Sequence, residues 1–275
     1  MNRIRSKQGM TLVELLVTIS VVGILGAITV TAVGSVRDSA NRVADSSSAR
    51  QLATAYMMYP VENKGQLMPA KPERKELPFM GIKNLDGNPL LSGPAAERIT
   101  FRLLPYVGGI DAFYPGESQD HLQSILTSGS RVDYDLSLFP SIGFNSIYIG
   151  GDYQSIRYEP HEIAVTHQAQ VRNPSGLIVF ATSFQGAGDF ADTSSSYKGV
   201  VNVSAPKSGA ATADWSSTLN DAIPATSGNV HFRHGGKALV ANMDGSVEAL
   251  TFEELKDMRR WSNHAYIAND PDYTP

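Results

Sequence analysis

From Leu15 to Val36 the chain runs through 22 residues without a charge, and then changes to a mixed pattern with apolar positions at helical spacing. At a rise of ~1.5 Å per residue the uncharged run is long enough to cross a hydrocarbon core of ~30 Å. Beyond it, Val33, Val36, Ala40 and Val43 lie three or four apart, with Arg37, Asp38, Asn41 and Arg42 on other faces. Asp45-Ser46-Ser47-Ser48 is a weak patch, after which Leu52, Ala55, Tyr56 and Tyr59 resume the stripe. Pro60 is expected to stop it, since the residue before a proline avoids the helical region. The pattern predicts one helix over 10–59, membrane-spanning over about 15–36, whose amphipathic outer half packs on the rest of the chain.

Pro69, Pro72, Pro78, Pro89 and Asp86-Gly87-Asn88 make 60–93 loop-like. Ser92 is a candidate cap for a short helix with Pro94 in its first turn, and a second helix is expected over Glu117–Leu126. Strand signals follow at Ser146–Ile149, Glu162–Val165, Leu177–Phe180 and Val200–Val203, with Asn173-Pro174-Ser175-Gly176 as a turn into the third. Residues 229–252 read as three antiparallel strands, Val230–His234, Lys237–Met243 and Ser246–Phe252. Their joints, Gly235-Gly236 and Asp244-Gly245, are the pairs a type I′ turn needs, because both central residues take positive φ. The expected fold is α+β: a long N-terminal helix on a head, residues 60–275, with an antiparallel sheet.

Two features of the N-terminus change this picture. Arg3, Arg5 and Lys7 precede Gly9, and the single carboxylate of Glu14 stands at the edge of the uncharged run. A charge there is costly if buried in lipid and calls for a partner. A secretory signal would be cut after its apolar stretch; here the candidate junction, Gly9–Met10, lies before it. Cleavage would discard the leader (1–9), keep the helix and place a new α-amine on Met10, four residues from Glu14. The basic leader also orients the span with its N-terminus in the cytoplasm.

These residues resemble the type IV pilins and the pseudopilins of type II secretion systems. The signature is Gly9-Met10-Thr11-Leu12-Val13-Glu14, continuing through Val21-Val22-Gly23-Ile24-Leu25-Gly26-Ala27-Ile28. Met10 stands where family members mostly carry Phe, and Thr31 where many carry a helix-breaking proline. The resemblance implies a pilin-like fold, cleavage by a prepilin peptidase and methylation of the new N-terminus. It further implies residence in the inner (cytoplasmic) membrane among its lipids, and assembly into a fibre with other subunits through an inner-membrane platform. Counting from His234, nine residues precede Asp244-Gly245, which resembles an H-x9-D-G signature near the C-terminus of a large group of pilin-like proteins.

Composition narrows the chemistry. The formal charge of −4 becomes −7 without the leader, so no basic face for nucleic acid is expected. There is no cysteine, which excludes disulfides and thiolate metal sites. His231 and His234 are three apart and would point to opposite faces of a strand, so His234, Gly235, Gly236, Asp244 and Gly245 are read as structural turn residues, with His234 bonded to the turn backbone. Asp189 and Asp192 offer oxygen donors of the kind calcium takes, but the loop lacks a dense acidic pattern, and solvated carboxylates are the expected state. The pairs Asp133/Asp135 and Glu248/Glu253 are of a kind any chain of this size contains. No nucleophile elbow, phosphate loop or His-Glu-x-x-His occurs. No enzyme, resident metal or cofactor is expected.

Three functions follow: a fibre subunit, a membrane-anchored binding module for polysaccharide using Tyr153, Tyr158, Tyr197 and Trp215, and a tethered enzyme. Gly9 and Glu14 favour the first, because a mere anchor needs neither.

Overall fold

The computed structural model describes residues 11–154, 160–186, 198–207, 214–220 and 222–275, save for the side chains of 28–32 and 160–161. The chain forms two compact units, residues 1–41 and 42–275. In the first, the described residues form the opening part of α1, Leu12–Glu62, which contributes to both. Among the residues whose side chains are described, no helix is long and apolar enough to cross a membrane. Positions 28–32 fall within the uncharged run, so the expected span rests on the sequence.

The apolar stripe of α1 divides in two. Val33 and Val36 in the first unit are exposed, and so is Val43. Burial begins at Asp45 and continues through Ala49, Leu52, Ala53, Ala55 and Tyr56. The helix runs past Tyr59 to Glu62, with Pro60 inside its last turn. A proline that near the end forfeits one backbone donor without breaking the earlier turns. The stop comes from Lys64 and Gly65 at positive φ, with Gly65 N donating to Pro60 O at 2.8 Å.

The head carries a five-stranded sheet in the order β3-β1-β2-β4-β5, built from β1 (Ile142–Asn145), β2 (Ile178–Thr182), β3 (Asn202–Val203), β4 (Lys237–Asn242) and β5 (Val247–Thr251). It is mixed rather than antiparallel: β3 runs parallel to β1, because the chain leaving β2 doubles back and lies beside β1 in β1's own direction. Every residue of β2 is buried, with Ile178 and Ala181 in one apolar cluster and Val179 and Phe180 in another. A strand covered on both faces reads as a continuous apolar run. Tyr56 of α1 packs on Phe144 and Phe180 on one side, at ring separations of 5.3 and 6.2 Å. Phe232, Phe252, Trp215 and Trp261 form an aromatic group in the other cluster.

Short helices complete the head: α2 (Pro94–Glu97), α3 (Ile99–Val107), α4 (Gln119–Thr127), α5 (Val132–Leu138), α6 (Pro160–Ile163), α7 (Phe252–Leu255) and α8 (Asn263–Ala268). The cap of α2 is Gly93 at φ 88°, not Ser92. Arg102 on α3 is buried and donates to the carbonyls of Pro69, Ala70, Glu97 and Arg98, pinning the proline-rich loop to the core. Burial lowers its pKa to about 10.

Several expected strands fall elsewhere. Ser146–Ile149 is a turn following β1; Asn145 ends the strand by donating to Ile178 O and Trp261 O while accepting from Tyr148 N. Glu162–Val165 begins as the helical turn α6, since Pro160 suits the first helical position; Val165 alone bridges to Ile149. Of Val230–His234 only Val230 pairs, in a single antiparallel bridge to Ser183 beside His231 N donating to Thr182 O; the ladder goes no further, and His231 O is taken by the side-chain hydroxyl Thr182 Oγ1. Gly235 and Gly236 do take positive φ, with His234 N bonded to Lys237 O. The β4–β5 loop is different. Gly245 N donates to Asn242 O and Asn242 N to Ser246 O, and only Gly245 has positive φ, so Met243-Asp244-Gly245 is a three-residue loop with a glycine bulge.

Candidate functional site

Two constellations are built on α1, one at its start and one in its buried half. At the start, Thr11 caps the helix. Glu14 N donates to Thr11 Oγ1 at 3.3 Å, and Glu14 Oε2 accepts from Thr11 N at 2.8 Å and Thr11 Oγ1 at 2.9 Å. This reciprocal arrangement is a capping box, satisfying helix-start donors that have no partner within the helix. Among the described residues the other carboxylate oxygen, Oε1, accepts no hydrogen bond and is available to a further donor. The Thr-x-x-Glu spacing is the signal that sequence reasoning passed over, having taken Glu14 as a charge that needs a partner beyond its own helix. Gly9 and Met10, the expected processing residues, lie outside the described residues.

In the second constellation Asp45, 2% exposed, is held by the side chains of Arg233 and His234 from the segment before β4. Arg233 Nε donates to Asp45 Oδ2 at 2.6 Å, and His234 Nε2 lies 2.8 Å from the same oxygen. Arg233 also reaches Ser141 O through both terminal nitrogens, at 3.4 and 3.5 Å. A carboxylate this buried persists only when paired. The side chain of His234 is therefore structural through α1, not through the turn backbone, which it touches only by its own N–H. Asp244 serves its loop, accepting from Ser246 N and Oγ. Asp45 and Arg233 were not anticipated, yet Asp45 lies four residues before Ala49 and seven before Leu52, in phase with the buried stripe.

Beside this latch, His231 stacks on Phe184 at 4.7 Å. Burial first, then the charges of Arg233 and His234, lowers its pKa from 6.5 to about 3. The folded head thus keeps His231 neutral where the unfolded chain would protonate it. Between pH ~6.5 and ~3 the unfolded state binds more protons, so stability falls as pH drops, by up to ~1.4 kcal/mol per pH unit. His231→Phe, which keeps the stacking, is expected to flatten the stability profile over that window. Equal slopes for parent and variant in chemical denaturation would remove His231 from acid sensitivity.

The remaining candidates are placed as follows. Trp215 stacks on Phe252 and donates to Ser204 O, so it packs rather than presents itself. Tyr153 is exposed, while Tyr158, Tyr197, Asp189 and Asp192 lie outside the described residues. Asp133 accepts from Asn84 and Asp135 faces Arg131; Glu248 pairs with Arg260 and Glu253 with Lys256. Neither carboxylate pair stands free. Among the described residues no group of three or more His, Asp or Glu is placed to hold a metal ion.

Comparison with known proteins found no match among curated proteins and none among solved structures. A family model, the prokaryotic N-terminal methylation motif, matches residues 4–30. That interval contains the basic residues Arg5 and Lys7, the Gly9–Met10 junction, the Thr11–Glu14 capping box and most of the uncharged run. The chain carries the N-terminal methylation motif of a type IV pilin- or pseudopilin-like protein.

Proposed function

We propose that this protein is a structural subunit of a type IV pilus-like or type II secretion pseudopilus fibre. The observation that carries the reading is the register of the methylation motif, with Glu14 at the head of α1 immediately before 22 uncharged residues. In this reading a prepilin peptidase cuts between Gly9 and Met10 and the new amine is methylated. The helix from Leu15 to Val36 holds the chain in the cytoplasmic membrane with its head outside. The helix then leaves the lipid and packs among the helices of other subunits in the fibre core, assembled by an inner-membrane platform. Glu14 neutralises the Met10 amine of a neighbour, through the oxygen that the capping box leaves open. The chain's role is mechanical, with no catalytic step.

Processing is tested directly. Protein recovered from membranes is expected to begin at N-methylated Met10 when its N-terminus is sequenced. A chain starting at Met1, or cut beyond the uncharged run, would sink the reading.

A further inference from the structure

A groove of about 560 Å³ opens where the last turns of α1 meet the proline-rich loop, lined by Tyr59, Pro69, Lys75, Glu76, Phe79 and Met80. Its walls are fixed from behind. Tyr59 packs on Tyr106 at a ring separation of 6.1 Å, Arg102 holds the carbonyl of Pro69 at 2.6 Å, and Leu77 is buried in the core. Phe79 N donates to Glu76 O at 2.9 Å and Met80 N to Leu77 O at 3.2 Å, closing a short turn. That turn holds Phe79 out in water, 89% exposed, the most exposed large apolar side chain among the described residues. One such residue alone would need no explanation. Set rigidly beside Tyr59, Pro69 and Met80, it completes a contiguous apolar surface of the kind that meets another macromolecule.

The same compact unit carries a second uncovered surface. Val43 on α1 is 69% exposed, and Arg42 beside it is exposed as well. Tyr59 follows Val43 by about 24 Å along α1, at a rise of ~1.5 Å per residue. A parallel copy displaced by that distance along the helix axis brings its Val43 level with the groove. The two surfaces then match in kind. Val43 meets apolar walls, and since Lys75 is paired with Glu73, the charge left to face Arg42 is Glu76. The contact joins two different patches of the chain, and a heterologous contact repeated in one direction builds a filament rather than a closed dimer.

We propose that the groove receives the Val43 segment of α1 from a second copy of this chain, with Phe79 against Val43 and Glu76 facing Arg42. This contact rests on the fibre reading and adds to it a join between head and helix, separate from the pairing of Glu14.

The chain has no cysteine, so introduced thiols report only the chosen sites. Sheared fibres of the double variant Val43→Cys, Phe79→Cys, treated with a short bismaleimide, are expected to give a ladder of covalent multimers. Each single variant is expected to give none, and so is Val43→Cys combined with Leu126→Cys, at an exposed position on α4. Phe79→Ala is expected to melt as the parent does but to enter fibres about 10-fold less. Glu76→Arg is expected to lower incorporation too, and Arg42→Glu in the same chain to restore it. Absence of fibres from the parent would remove the fibre reading and this contact with it. Parent fibres together with any of three results would overturn the contact alone: no ladder from the double cysteine variant, parent-like incorporation of Phe79→Ala, or no rescue of Glu76→Arg.

Discussion

Glu14→Gln is expected to be inserted and cleaved like the parent but to be nearly absent from fibres. The substitution separates two roles that Glu14→Val confounds. A capping box accepts Gln as well as Glu at its third helical position, so Gln keeps the acceptor that Thr11 uses and discards only the charge. If Glu14 serves the helix alone, Gln behaves as the parent, while Val loses a cap, a factor of only about five in helix stability. If Glu14 neutralises the amine of a neighbouring subunit, Gln fails as badly as Val. An ammonium left unpaired at low dielectric would disfavour incorporation by about 100-fold or more. The pairing would gain little over an apolar core, but it selects register, because the correctly staggered neighbour is the one that removes a costly charge. The measurement is the ratio of protein in sheared-fibre and membrane fractions for the parent, Glu14→Gln and Glu14→Val. Parent-like incorporation of Glu14→Gln would reduce Glu14 to a helix cap.

The parts of this protein legible in its sequence are those whose cause is local. The uncharged run, the junction before it and the lone carboxylate concern adjacent residues, and they are what the methylation motif matches. β2 was visible because burial on both faces leaves five apolar or small residues in a row. β1 was not, since Ile-Gly-Phe-Asn shows no alternation and its glycine answers a distant neighbour. A Cβ on Gly143 would lie 2.8 Å from Val200 O, so the close approach of the segment leading into β3 dictates the residue. The Asp244-Gly245 loop was misjudged for a related reason. The dipeptide fits a two-residue turn, but the pairing of Ala241 with Val247, continued by the bond from Asn242 N to Ser246 O, puts three residues in the loop. The long-range partners of Asp45 were invisible, because nothing in residues 45–48 indicates that Arg233 and His234 will arrive from 188 and 189 positions away.

The burial of that latch makes Asp45→Ala a strongly destabilising substitution in the head. Asp45, Arg233 and His234 are almost wholly withdrawn from water, with side chains 3, 12 and 5% exposed. Removing the carboxylate leaves a guanidinium and an imidazole with lost acceptors in a site that water scarcely reaches. Breaking a buried ion pair from one side costs about 3–5 kcal/mol, far more than an exposed pair, whose worth is ~0–1 kcal/mol. For a unit of this size, roughly 2–4 °C of melting temperature goes with each kcal/mol, so a fall on the order of 10 °C is expected. Asp45→Asn keeps an acceptor and should fall less. The double variant Asp45→Leu, Arg233→Met should recover part of the loss, because it withdraws the stranded guanidinium together with its partner. The three melting curves, recorded on the full chain in detergent at neutral pH, separate a buried latch from a surface pair. An Asp45→Ala curve within 2 °C of the parent would show that the segment before β4 does not depend on α1 for its place in the head.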